Sequence, residues 1–196
     1  MISTVLFDLD GVIRHFDPEL TAMIERRHGI AAGTIAQIAF AGSLLERLTT
    51  GRLSRADWIA GIGDELGNRE AAHEWGGQRA PVDPEMLVLA DELAAAGIRT
   101  AILTNGTDTI PAEIAELGLD RHFESIFNTA EIGVAKPDAR AFAHVLDALG
   151  CDAAGVLFTD DSRTNIDGAA ALGMHTHHFR DAASLRADLR MRGILS

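Results

Sequence analysis

Three short apolar runs punctuate the chain, and each gives way to polar residues in the same manner. Val5-Leu6-Phe7 leads into Asp8, Ala101-Ile102-Leu103 into Thr104, and Val156-Leu157-Phe158 into Thr159 and Asp160. Unbroken runs of this length predict strands buried on both faces of a parallel sheet. Helical periodicity separates them. Met86, Leu89, Ala90 and Leu93 recur at helical spacing before Gly97, and Phe142, Val145, Leu146 and Leu149 do so between Asp138 and Gly150. Strand-helix alternation predicts an α/β fold with a doubly wound parallel sheet, whose ligands bind beyond the carboxyl ends of the strands.

The stretch between the first run and the second is too long for one crossover helix. Residues 18–80 carry helical apolar sets (Ile35, Ile38 and Ala39; Ile59, Ile62 and Leu66) broken by Gly29, Gly51, Gly67 and Gly76-Gly77, and Pro81 and Pro84 mark the return. The expected organisation is therefore a core of residues 1–17 and 81–196, with a helical cap, 18–80, inserted beside the first strand's polar end.

Composition narrows the function. Of the 196 residues 47% are hydrophobic and 23% charged, which excludes a disordered chain. The formal net charge of −12 argues against nucleic-acid and anionic-membrane partners, so an anionic ligand needs a local positive device. No apolar run approaches the roughly 18 residues of a membrane span, and the start Met-Ile-Ser-Thr-Val lacks the basic flank of a signal peptide. A single cysteine, Cys151, suits a reducing compartment, and the cytoplasm is the expected location. Lys136 is the one lysine among 17 basic residues, which marks it as a place where a compact ammonium is wanted.

Four polar stretches carry candidate chemistry. Asp8-Leu9-Asp10-Gly11 places two acids at a strand end, suited to nucleophilic attack if a cation relieves the repulsion with a phosphate; an acidic loop is the plainer reading. Thr104-Asn105-Gly106 forms either an anion nest or a helix cap. Lys136-Pro137-Asp138 offers an ammonium in a loop. Asp160-Asp161-Ser162, with Asn165 beyond, sets neighbouring carboxylates together, at an electrostatic cost unless a cation lies between them, or else caps a helix.

In this order, each at a strand end or the loop after it, the four stretches resemble the motifs of the haloacid dehalogenase-like hydrolase superfamily, in a phosphatase-type member with a helical cap of the C1 type. Leu93 to Asn105 and Lys136 to Phe142 are similar to its members as well. The resemblance implies Asp8 as a nucleophile forming an aspartyl-phosphate, and Asp10 as general acid and then base. It implies Mg2+ held by Asp8, the Asp10 carbonyl and Asp161, with Asp160 outside the direct ligands. Thr104, the Asn105 backbone and Lys136 would hold the phosphoryl oxygens, with Ser162 and Asn165 supporting.

The implied activity is magnesium-dependent hydrolysis of small phosphate monoesters, sugar phosphates among them, by a monomer or homodimer. A phosphomutase shares these residues. A 2-haloacid dehalogenase shares Thr104-Asn105-Gly106-Thr107 but has no use for Asp10, and the fold can also serve as a binding or regulatory module. The segment Gly51 to Trp58 resembles the cap of small-substrate phosphatases, which makes Arg14, His15, Arg47, Arg52 and Trp58 candidate specificity contacts. His175, His177 and His178 read as strand residues at a sheet edge rather than a zinc site, because no further ligands converge on them.

Overall fold

The computed structural model describes residues 1–196. Five parallel strands form one sheet in the order β3-β2-β1-β4-β5, with β1 Thr4–Phe7, β2 Arg99–Thr104, β3 Ser125–Asn128, β4 Val156–Asp160 and β5 His175–His178. The strand alternation sends successive side chains to opposite faces. Val5, Phe7, Ile102 and Leu157 meet α6 (Pro84–Ala95), α7 (Ile110–Leu117) and α11 (Ala182–Met191) in one buried layer. Leu6, Ala101, Leu103, Val156 and Phe158 meet α9 (Ala139–Leu149) and α10 (Arg163–Ala171) on the other side.

The ends of these helices follow local chemistry. Asp83 caps α6 by accepting from the Glu85 backbone N–H with Pro84 in the first turn, and Asp138 caps α9 by accepting from Arg140. Gly150 ends α9 in the left-handed conformation. Gly168 serves a closer purpose: a Cβ there would stand 2.8 Å from the Pro137 carbonyl oxygen, so its bare backbone lets α10 press against the loop that carries Lys136.

Between β1 and α6 run five helices: α1 Pro18–Arg27, α2 Thr34–Ala39, α3 Gly42–Thr49, α4 Arg55–Leu66 and α5 Arg69–Gly76. They have a small core of their own, in which Ile38, Ala39, Leu48, Trp58, Ile62 and Ala72 pack together. Glu25, on the inner face of α1, is buried because its carboxylate accepts from the backbone N–H groups of Gly33 and Ile35 and so closes the α1–α2 turn. The helices are tied to the sheet's carboxyl end by the Thr129 hydroxyl, which donates to the Thr49 carbonyl at 2.7 Å, and by the Arg55 N–H, which donates to Asp108. No helix is long and apolar enough to cross a membrane.

Candidate active site

Sheet register brings the polar ends together. Phe7 pairs with Ile102 on one side and Thr159 on the other, so the next residue, Asp8, lies between the end of β2 and Asp160; its N–H continues the ladder to the Thr159 carbonyl at 2.9 Å. Lys136 reaches this point from the loop before α9. Its Nζ lies 2.8 Å from Asp8 Oδ1 and 2.7 Å from Asp160 Oδ2, and all three residues are buried.

Each member of this group is held by others. Asp8 Oδ1 accepts from the Leu9 N–H at 2.8 Å. Asp160 accepts from the Ser162 N–H at one oxygen and from Asn165 Nδ2, as well as Lys136, at the other, so Ser162 and Asn165 fix the partner of the lysine. The Asn105 carboxamide grips the backbone of Lys136 from both sides: Nδ2 donates to its carbonyl at 2.9 Å, and the Lys136 N–H donates to Oδ1 at 2.8 Å. Sequence reasoning reads Asn105 through its backbone, whereas its side chain has this separate structural task. Thr104 is buried beside it at the end of β2.

The electrostatics follow from burial. Burial raises the Asp8 carboxyl to about 7, with Asp160 adding to the effect and Lys136 opposing it. Burial alone would lower the Lys136 ammonium, but Asp8 and Asp160 outweigh it and hold the lysine above its ordinary value. Asp161 is raised too, by partial burial and then by Asp160.

Asp8, Asp160 and Asp161 each present a carboxylate oxygen within 4.8 Å of the others. An all-oxygen, anionic donor set of this kind fits a hard divalent cation such as Mg2+. The loop after β1 is shaped to admit Asp161: Gly11 has φ +85°, and a Cβ there would lie 2.3 Å from Asp161 Oδ2. Since both Asp160 oxygens already accept protein donors, Asp8 and Asp161 are the freer pair.

Asp10 stands beside this cluster and is half-exposed. Arg14 Nε donates to its Oδ1 at 2.5 Å, and Arg14 Nη1 lies 2.7 Å from Glu113 Oε2. Thr109 donates to the other Glu113 oxygen. Burial would raise the Glu113 carboxyl, but the Thr109 and Arg14 hydrogen bonds outweigh it and hold it low. Arg14 is thus a buried strut between the first motif and α7. Glu113 escapes sequence reasoning; its one signal is its spacing of four from Thr109 on a helix.

A cavity of about 580 Å3 lies between the five inserted helices and the strand ends, and Asp10, Arg14, Asn105 and Trp58 are among the residues that line it. Three expected specificity contacts are not there. His15 faces Asp83 at the start of α6, 3.8 Å away, and the exposed Arg52, just beyond α3, folds back on Glu46 and Thr50 at that helix's end. Arg47, on α3, is exposed and likewise absent from the wall. The histidines of β5 also disperse: His177 pairs with Asp188 on α11, and His178 Nε2 lies 2.9 Å from the Asp161 carbonyl oxygen.

Several known proteins resemble this chain. The chain is 27% identical to the sesquiterpene phosphatase astK of Aspergillus oryzae, over 94% of this chain and 93% of that one. It is 29% identical to the phosphoglycolate phosphatase of Rhodospirillum rubrum, over 89% and 78%. Two other relatives are longer: the chain spans 9% of mouse acyl-CoA dehydrogenase family member 10 and 37% of rat bifunctional epoxide hydrolase 2. Its fold matches that of the HAD family enzyme BT-2542 of Bacteroides thetaiotaomicron, solved in complex with magnesium and inorganic phosphate, with a TM-score of 0.76 at 21% identity over 92% of this chain and 95% of that one. The family description of haloacid dehalogenase-like hydrolases matches residues 2–173, and the chain belongs to that family.

Proposed function

We propose that this hydrolase cleaves phosphate monoesters, with Asp8 as the nucleophile, and that residues 18–80 act as a cap over the reaction. The observation that carries the reading is the pairing of Lys136 with Asp8 at 2.8 Å inside a cluster of three convergent carboxylates. A buried carboxylate aimed at a site that also holds an ammonium is suited to attack phosphorus, because the same ammonium then meets the charge that gathers on the phosphoryl oxygens. Phosphatases among the relatives, and a structural neighbour that holds magnesium and phosphate, support it.

Asp8 and Asp161, with the Asp10 backbone carbonyl, would hold Mg2+, which when bound withdraws negative charge from the phosphoryl group. A carboxylate oxygen of Asp8 forms a bond to phosphorus while the ester oxygen departs with the bonding pair. Asp10, oriented by Arg14 at the cavity wall, gives its proton to that oxygen. It then takes a proton from the water that attacks the aspartyl-phosphate, returning Asp8 and releasing phosphate. Thr104 and the Asn105 backbone bind the phosphoryl oxygens, and the Asn105 side chain keeps Lys136 in place. Asp160 anchors the lysine from the other side.

The test is phosphate release from an aryl phosphate, with and without Mg2+, by wild type and Asp8→Asn. The expected result is metal-dependent turnover in the wild type and a loss of several orders of magnitude in the variant. Equal rates would overturn the assignment, and metal-independent halide release from a haloacid would point to a dehalogenase.

A further inference from the structure

The cavity differs in character from the site it adjoins. Phe16, Phe40, Trp58, Trp75, Leu48 and Ile110 contribute to its wall, and the surface they present is mostly carbon. Trp58 uses its one polar atom elsewhere, donating Nε1–H to the Ala39 carbonyl at 3.0 Å, so its ring offers only an apolar face. Trp58 and Trp75 pack edge to face at 5.2 Å, and Phe40 leans on both. Phe16 and Phe40 remain about half exposed, at 48% and 55%, although large apolar side chains normally find cover.

The polar groups of the same wall already have partners. Arg14 is taken by Asp10 and Glu113, and Arg55 donates to the Gly76 carbonyl. Glu25 accepts two backbone N–H groups, Gln78 donates to Thr21, and the Thr49 hydroxyl donates to the Leu45 carbonyl. Asp17 caps α1. A sugar ring placed here would leave water for a wall whose polar groups are mostly engaged, at about 1–3 kcal/mol for each group left unsatisfied. A leaving group with a carboxylate or a second phosphate would meet four acidic side chains, Asp10, Asp17, Glu25 and Glu113, against Arg14 and Arg55 alone.

Asp10 is a wall residue of this cavity, and in the proposed mechanism it protonates the leaving oxygen. The cavity is therefore on the leaving-group side. Resting on the phosphatase reading, we propose that the substrate is the monophosphate of an aliphatic alcohol, with its hydrocarbon chain lodged among Phe16, Phe40, Trp58 and Trp75. The volume suits this, since pockets for small organic ligands span about 300–1000 Å3. Sugar phosphates, the substrates toward which the sequence motifs lean, are expected to be poor.

The chain's two tryptophans both line the cavity, so its intrinsic fluorescence reports occupancy directly. The experiment titrates Asp8→Asn, in Mg2+, with ethyl, butyl, hexyl and octyl phosphate, and with a hexose 6-phosphate and inorganic phosphate for comparison. Each pair of added methylenes is expected to lower Kd on the order of tenfold while the chain stays inside, and kcat/KM of the wild type is expected to rise in the same order. Phe40→Ser, a change at an exposed position, is expected to flatten the dependence. A Kd indifferent to chain length, tighter binding of the hexose ester, or an unchanged slope in Phe40→Ser would overturn the proposal. A preserved slope without phosphate release from any ester would leave the apolar site standing and refute the phosphatase reading instead.

Discussion

Replacing Lys136 by Met isolates the charge on which the site is built. The variant keeps a flexible stem to pack near Phe158, whose ring centroid lies 5.3 Å from Nζ, and removes the ammonium that bridges Asp8 and Asp160. Two buried carboxylates are then left facing each other, and breaking a buried pair from one side costs about 3–5 kcal/mol. For a domain of this size each kcal/mol moves Tm by about 2–4 °C, so a fall of roughly 6–20 °C is expected without metal. The pH dependence has a definite sign. Asp8 is raised from 3.8 to about 7 even with the lysine present, and without that opposing charge it rises further. A raised carboxyl favours the folded state below its unfolded value and loses that contribution as pH climbs through its folded one, so the deficit of Lys136→Met grows from acid toward alkaline pH. Mg2+ at saturating concentration is expected to raise the variant's Tm more than the wild type's, because it alone can then offset the carboxylates. Thermal melts at acid and mildly alkaline pH, with and without Mg2+, read all of this. A variant as stable as wild type above about pH 8 in metal-free buffer would refute the view that the lysine balances buried charge.

Asn105→Ala removes two hydrogen bonds to the Lys136 backbone. A loss of about 1–3 kcal/mol in a denaturant melt is expected, together with a fall of about tenfold or more in kcat/KM for aryl phosphate as the ammonium loses its position. Gly11→Ala forces a Cβ to within 2.3 Å of Asp161 Oδ2 at a backbone φ of +85°, and calorimetry should show Mg2+ affinity weakened by about tenfold or more in a protein that still folds. In the wild type, Mg2+ affinity should rise with pH up to about 7 and then level off, since Asp8 must lose its proton to act as a ligand; calorimetry across that range that found a flat profile would mean that Asp8 is already ionised in the free protein.

The sequence makes the central strands legible because β1, β2 and β4 are buried on both faces and carry unbroken apolar runs that end at the site. The outer strands are faint for the opposite reason. β3 has only Ile126 and Phe127 between two polar residues, and β5 is Thr176 among three histidines, because each is bonded on one side only and half-covered. The same contrast holds in the site. Asp8, Lys136, Asp160 and Asp161 are legible from motif order, and the sheet register brings them together. Glu113, the Asn105 carboxamide and the apolar character of the cavity are not, because they arise from contacts between segments far apart in sequence. Phe40 and Trp75 lie on different inserted helices, and no spacing rule links them to Asp10.

The charge balance of the cluster bears on how a strongly acidic chain with one lysine would accept the phosphate that the proposed function requires. Three carboxylates converge, the buried Asp8 and Asp160 with the more exposed Asp161, and one ammonium answers them, so the protein alone leaves an excess of negative charge there. The rise of Asp8 to about 7 comes first from burial, which Lys136 opposes and to which Asp160 and Asp10 add. Lys136 is already shared between Asp8 and Asp160, and therefore cannot by itself offset an incoming dianion. In the proposed mechanism Asp8 and Asp161 would hold a divalent cation, whose charge would relieve the excess, favour the ionised form of Asp8 and attract the phosphoryl oxygens. On that mechanism the lysine would make Asp8 tolerable in the folded chain without metal, and would meet phosphoryl charge once substrate is bound.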